Sequence, residues 1–86
     1  MGEELREHRL KRLHMRSMRR GIKEMDLILS AYAATTLNGM TEAQLDLYDA
    51  LLSENDQDLY TWVTGQVPAP DRFQALVDEI AMTFQT

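Results

Sequence analysis

Apolar residues recur along this chain at intervals of three and four, in five stretches divided by short polar breaks, and no stretch alternates with a two-residue period. That spacing predicts amphipathic helices and no strands. The first helix is expected from about Leu5 to Met18, with Leu10, Leu13, Ser17 and Met18 near one stripe. Arg6, Arg9, Lys11, Arg12 and Arg16 cover the remainder, giving a cationic helix with a narrow apolar seam. Gly21 is expected to take the positive φ of a C-terminal cap and let the chain turn. A second helix runs from roughly Ile22 to Thr36 on Ile22, Met25, Ile28, Leu29 and Tyr32. Leu27, Ala31, Ala33 and Ala34 fill much of its other surface, which predicts a central position.

Asn38-Gly39 ends that helix, and Thr41 followed by Gln44 fits a capping box that starts a third, with Leu45, Tyr48, Leu51 and Leu52 as its buried stripe. Ser53, Asn55 and Asp56 are candidate caps for a short fourth helix, whose Leu59, Trp62 and Val63 face inward before Gly65. Pro70 suits the start of a fifth, whose stripe is Phe73, Leu76, Val77, Ile80 and Phe84. Short connections between five helices predict an all-α, single-domain bundle over residues 1–86 with mostly antiparallel neighbours. Met15, Met18, Met25, Met40 and Met82 read as adaptable packing residues or contacts at a pliable surface.

Charge changes this picture more than composition does. Residues 1–23 carry eight Lys or Arg and three acidic residues, whereas residues 24–86 carry one Arg and eleven acidic residues. The chain therefore divides into a basic N-terminal helix (1–20), a turn (19–24) and an acidic remainder (25–86). Solvated surfaces usually mix their signs, so this segregation points to a surface arranged to meet something else. Absence of Cys removes disulfides, thiolate metal sites and thiol nucleophiles, and fits a reducing compartment. No apolar stretch approaches the ~20 residues of a membrane span. Glu3, Glu4 and Glu7 do not suit a transit peptide, so the basic segment reads as mature protein of a bacterial cytoplasm or, in a eukaryote, of the mitochondrial matrix.

Recognisable catalytic chemistry is missing from the spacing. His8 and His14, six apart, fall on different faces of one helix and cannot share a metal locally. Asp46, Asp49, Glu54, Asp56 and Asp58 lack the Gly and ligand order of a calcium loop, and capping and solubility explain them better. Gly21 stands outside any phosphate-loop pattern. Nucleic-acid binding through Arg6, Arg9, Arg12, Arg16 and Arg19 is the rival from another class. Against it stand a sequence pI of about 4.8, the absence of aromatic residues between the arginines, and the lack of a helix-turn-helix pattern.

Arg20 and Glu24 are four apart with the cation first, the weaker order for a helical ion pair, and a glycine lies between them. One account makes Gly21 a cap, Glu24 a complement to the helix dipole and Arg20 a solvated side chain. The other has the turn present an arginine fork and a carboxylate side by side to a protein partner.

The run Arg20-Gly21-Ile22-Lys23-Glu24 resembles the Arg-Gly-x-x-Glu signature of the succinate dehydrogenase assembly factor 2 family of flavinylation factors. The likeness takes in Arg19, Met25 to Leu29, Thr41 to Leu52 and Asp56 to Trp62, covers roughly Arg12 to Phe84, and is weakest over residues 1–12. It implies a five-helix protein that binds the flavoprotein subunit of succinate dehydrogenase, and often of fumarate reductase, to promote covalent attachment of FAD. Such a factor is no enzyme and holds no cofactor stably: the bond forms in the partner's own active site. Carried over by position, Arg19, Arg20, Gly21, Glu24 and Asp26 are the expected partner-binding residues. Trp62, on an apolar stripe, is expected in the core. A helical adaptor for another client is the alternative.

Overall fold

Five α-helices and one 3-10 turn follow one another in the computed structural model, which describes residues 5–84: α1 Arg6–Arg16, α2 Lys23–Thr36, the 3-10 turn Leu37–Gly39, α3 Glu42–Leu52, α4 Asp56–Val63 and α5 Asp71–Phe84. Residues 1–4, with Glu3 and Glu4, and residues 85–86 lie outside the described residues. The all-α expectation is met, since no strand occurs among the described residues.

Local chemistry sets the boundaries. At the start of α3 the Thr41 hydroxyl accepts the Gln44 amide at 3.2 Å while the Gln44 side chain accepts the Thr41 amide at 2.7 Å, the expected capping box. Of the three candidate caps for α4, Asn55 takes the position, accepting the Gln57 amide at 2.7 Å. Gly65 ends α4 with φ +81°, a conformation that costs any residue with a Cβ. Past Pro70, whose carbonyl accepts the Phe73 amide at 2.9 Å, α5 begins.

The core is one cluster drawn from every helix. Leu13 of α1, Met25, Ile28, Leu29 and Tyr32 of α2, Leu45, Tyr48 and Leu51 of α3, Leu59 of α4 and Phe73, Val77 and Ile80 of α5 are all buried. α2 packs against α1, α4 and α5 and is central as expected, yet it is buried on a single broad face: Leu27 is 61% exposed, and Ala31 and Ala34 face solvent. Two other expected stripe residues are exposed. Phe84 is 57% exposed, and Met18 lies beyond the end of α1, where the Ser17 and Met18 amides tighten the last turn onto His14 and Met15 carbonyls. The methionines divide: Met25 and Met40 are core, whereas Met15, Met18 and Met82 are exposed.

The segregated charges meet each other. Arg6 pairs with Glu42, Arg9 with Glu42 and Asp46, Arg12 and Arg16 with Asp49, and Arg16 also donates to the Ser53 hydroxyl at 3.1 Å. Because partners advance together along both helices, α1 and α3 run parallel, joined by a ladder of arginines and carboxylates. Arg6 extends it by donating to the Met40 carbonyl at 2.6 Å. The expectation that the basic helix awaits an external partner is thus corrected: spacings of three and four on both helices bring opposite signs into register inside the molecule. This also removes the footing of the nucleic-acid reading, since Arg6, Arg9, Arg12 and Arg16 are all held by α3.

Candidate functional site

The turn between α1 and α2 is built by two carboxylates. Asp26, in the first turn of α2, accepts the Arg19 amide at 2.7 Å through one oxygen and the Ser30 hydroxyl at 3.2 Å through the other. Asp56, the first residue of α4, reaches across from the other side. Its Oδ2 accepts the Gly21 amide at 2.6 Å, and its Oδ1 accepts Arg20 Nε at 2.9 Å and Arg20 Nη2 at 2.6 Å. Two backbone donors of the turn, at Arg19 and Gly21, are thereby fixed by side chains from two different helices.

Two expectations about this turn are overturned. The residue with left-handed backbone is Arg19, at φ 58°, and Gly21 has no positive φ. Glycine is suited to position 21 by space: a Cβ there would come within 3.3 Å of Asp56 Oδ2, against the carboxylate that binds its own amide. Arg20 is not solvated either. Its side chain is 11% exposed and that of Asp56 16% exposed, and the guanidinium also donates to the Arg16 carbonyl at 2.9 Å and the Leu52 carbonyl at 3.3 Å. The Arg20 fork meets the Asp56 carboxylate inside the protein, so Arg20 and Glu24 are not presented side by side.

What the turn exposes is therefore a different set. Arg19, Gly21, Lys23 and Glu24 face solvent, while Asp26 is half-buried. Arg16, Met18, Arg19, Arg20, Gly21 and Asp56 line a shallow depression of about 360 Å³ beside them. Among the described residues the Arg19, Lys23 and Glu24 side chains have no hydrogen-bond or ion-pair partner. Lys23 and Asp56 were not among the expected site residues. Asp56 carried one faint sign: with Asn55 as the cap, its carboxylate was surplus to the start of α4.

Elsewhere little chemistry is assembled. His8 is exposed and His14 half-buried on α1, and among the described residues no three His, Asp or Glu side chains are grouped to hold a metal ion. Burial pushes the Tyr48 phenol up to about 12, and burial with the neighbouring Glu79 carboxylate raises Tyr32 as well, so both rings stay neutral hydrogen-bonding groups. No described helix is long and apolar enough to cross a membrane.

Residues 11–83 match the model of the Sdh5 family, described as the flavinator of succinate dehydrogenase. The chain belongs to this family. It is 50% identical over 66 residues to a protein of Candida glabrata named succinate dehydrogenase assembly factor 2, mitochondrial, covering 73% of this chain and 43% of that protein. A protein of the same name from Meyerozyma guilliermondii is 45% identical over 74 residues, covering 83% of this chain and 55% of its own length. One from Danio rerio is 41% identical over 76 residues, covering 86% and 48%. The chain thus spans about half the length of these relatives. The family match begins at Lys11, inside α1, and takes in the whole Arg19–Glu24 turn together with Asp26 and Asp56.

Proposed function

We propose that this chain is an assembly factor that binds the flavoprotein subunit of succinate dehydrogenase and promotes covalent attachment of FAD to it. The observation that carries this reading is the turn of the Sdh5-family chain, held by Asp26 and Asp56, which exposes Arg19, Lys23 and Glu24 with no partner of their own among the described residues. Arg19, Gly21 and Glu24 are the contact residues in this reading, and Arg20 and Asp26 hold the turn that presents them.

The chemistry belongs to the partner. In this reading the small protein is no enzyme and holds no FAD stably; it binds one conformation of the flavoprotein better than others and raises its population, with flavin and acceptor residue aligned. A fumarate reductase flavoprotein is a second client of the same chemistry. The compartment is the mitochondrial matrix or the bacterial cytoplasm, wherever the flavoprotein matures.

Covalent flavin in the succinate dehydrogenase flavoprotein, read by in-gel fluorescence in cells lacking this chain, tests the reading. Fluorescence should be lost, return with the wild type and stay absent with Gly21→Arg. Fluorescence unchanged by the deletion would overturn it and leave a helical adaptor for another client.

A further inference from the structure

Arg20 sits in the middle of an exposed turn, yet its guanidinium is turned inward. Four hydrogen bonds hold it, two to Asp56 Oδ1 and one each to the carbonyls of Arg16 and Leu52, so at most one of its five N–H donors is left for a partner. These contacts join the end of α1, the end of α3 and the start of α4 at one point. The second oxygen of Asp56 then takes the Gly21 amide. One carboxylate therefore couples the Arg20 side chain to the backbone of the next residue. Asp56 sits at an N-terminal helix position that favours negative charge, and Asn55 does the capping, so nothing else draws on it.

We propose that Asp56 is the positioning residue of the docking turn, and that Arg20 acts on the partner through Asp56 and not by contact. The pair fixes Gly21, and Gly21 sets the directions in which Arg19, Lys23 and Glu24 present their charges. This rests on the reading that the turn docks on the flavoprotein subunit. It also specifies the complementary surface, which must offer carboxylates to Arg19 and Lys23 and a cation to Glu24. Asp56→Asn is the informative change, because an amide has the same shape but only one accepting oxygen and cannot receive both Arg20 and the Gly21 amide.

The test is a double-mutant cycle on affinity for the purified flavoprotein subunit, with Arg20→Ala, Asp56→Asn and the double variant, below the melting temperature of each. Each single change should weaken binding by about tenfold or more, and the double should be no weaker than the worse single. Losses that multiply in the double variant would place Arg20 against the partner and overturn the proposal. Arg20→Lys is a milder second probe. It keeps the charge but not the fork, so it should bind as poorly as Arg20→Ala; wild-type affinity would point to direct contact and overturn the proposal. Hydrogen exchange in the free protein supplies a readout independent of the partner. In Asp56→Asn the Gly21 amide should exchange about tenfold faster or more while the Leu29 amide keeps its protection. Unchanged exchange at Gly21 would refute the positioning role. If the wild type does not bind the flavoprotein, the docking reading fails, and the exchange result alone decides what Asp56 does.

Discussion

The Ser17 hydroxyl and the Tyr48 phenol meet at 2.6 Å in the buried seam between the end of α1 and the middle of α3. Both residues are fully buried, and Ser17 Oγ is also 2.8 Å from the Leu13 carbonyl, to which it donates. Beneath the charged ladder, this chain of polar atoms registers α1 on the core. The two members are not equivalent. Tyr48→Phe leaves Ser17 its carbonyl partner and should cost about 1 kcal/mol, whereas Ser17→Ala strands the Tyr48 hydroxyl in the core and should cost about 1–3 kcal/mol. Urea unfolding of the two variants checks the order; a larger loss in Tyr48→Phe would mean that the Tyr48 hydroxyl is not stranded when Ser17 is removed.

Asp49 is the most buried carboxylate of the α1–α3 ladder. Burial on its own would raise its pKa, but the Arg12 and Arg16 guanidiniums outweigh that and hold it below the ordinary carboxylate value. With the folded pKa depressed, the stabilisation is fully present above the unfolded-state value of about 3.9 and is lost as pH falls through the folded value. Stability should therefore drop with acidification below about pH 4, and Asp49→Asn should flatten that drop while lowering stability at neutral pH. Urea midpoints at several pH values measure it, and parallel curves for the two proteins would remove Asp49 from the acid transition.

Elements whose signals are local were legible in the sequence. The Thr41–Gln44 capping box, the end of α4 at Gly65 and the Phe73, Leu76, Val77, Ile80 stripe each depend on residues within a few positions of one another. The site depends on pairs far apart in the chain. Arg20 and Asp56 are separated by 36 positions and Arg16 and Asp49 by 33, so no window contains both partners, and each charge read alone looks solvated. The left-handed residue was misplaced for a related reason. Glycine is the usual occupant of that conformation, but the Asp26 carboxylate takes the Arg19 amide and holds the turn two residues earlier than Gly21 would suggest.

Trp62 lies at the rim of the core and not at its centre. It is half-buried, its ring stacks on Phe73 at a centroid separation of 6.2 Å, and it shares the surface cleft between the end of α4 and α5 with Val67 and Pro68. Trp62→Ala should thus cost about 2 kcal/mol, short of the roughly 3–5 kcal/mol of a fully buried ring. Thermal unfolding followed by circular dichroism measures this. Affinity for the flavoprotein should be unchanged, because the ring is on α4 away from the turn; a binding defect in a stable variant would extend the docking surface to this cleft.

Arg19 sets stability against recognition at one position. Its backbone is left-handed at φ 58°, a conformation that costs a non-glycine residue about 1–2 kcal/mol, while its side chain is exposed and pairs with no described residue. Glycine would relieve the strain but would lose more freedom on folding, by about 0.5–1 kcal/mol. Arg19→Gly should therefore be neutral to more stable, by up to about 1 kcal/mol, since the amide that Asp26 accepts is kept. Affinity for the flavoprotein should fall all the same, because one of the unpaired charges of the turn is gone. Such opposite movements are what a strained residue kept for function produces. Urea unfolding and titration of the same preparation against the flavoprotein read both quantities. A variant that gains stability and binds as well as wild type would remove Arg19 from the contact surface and leave Lys23 and Glu24 to carry it.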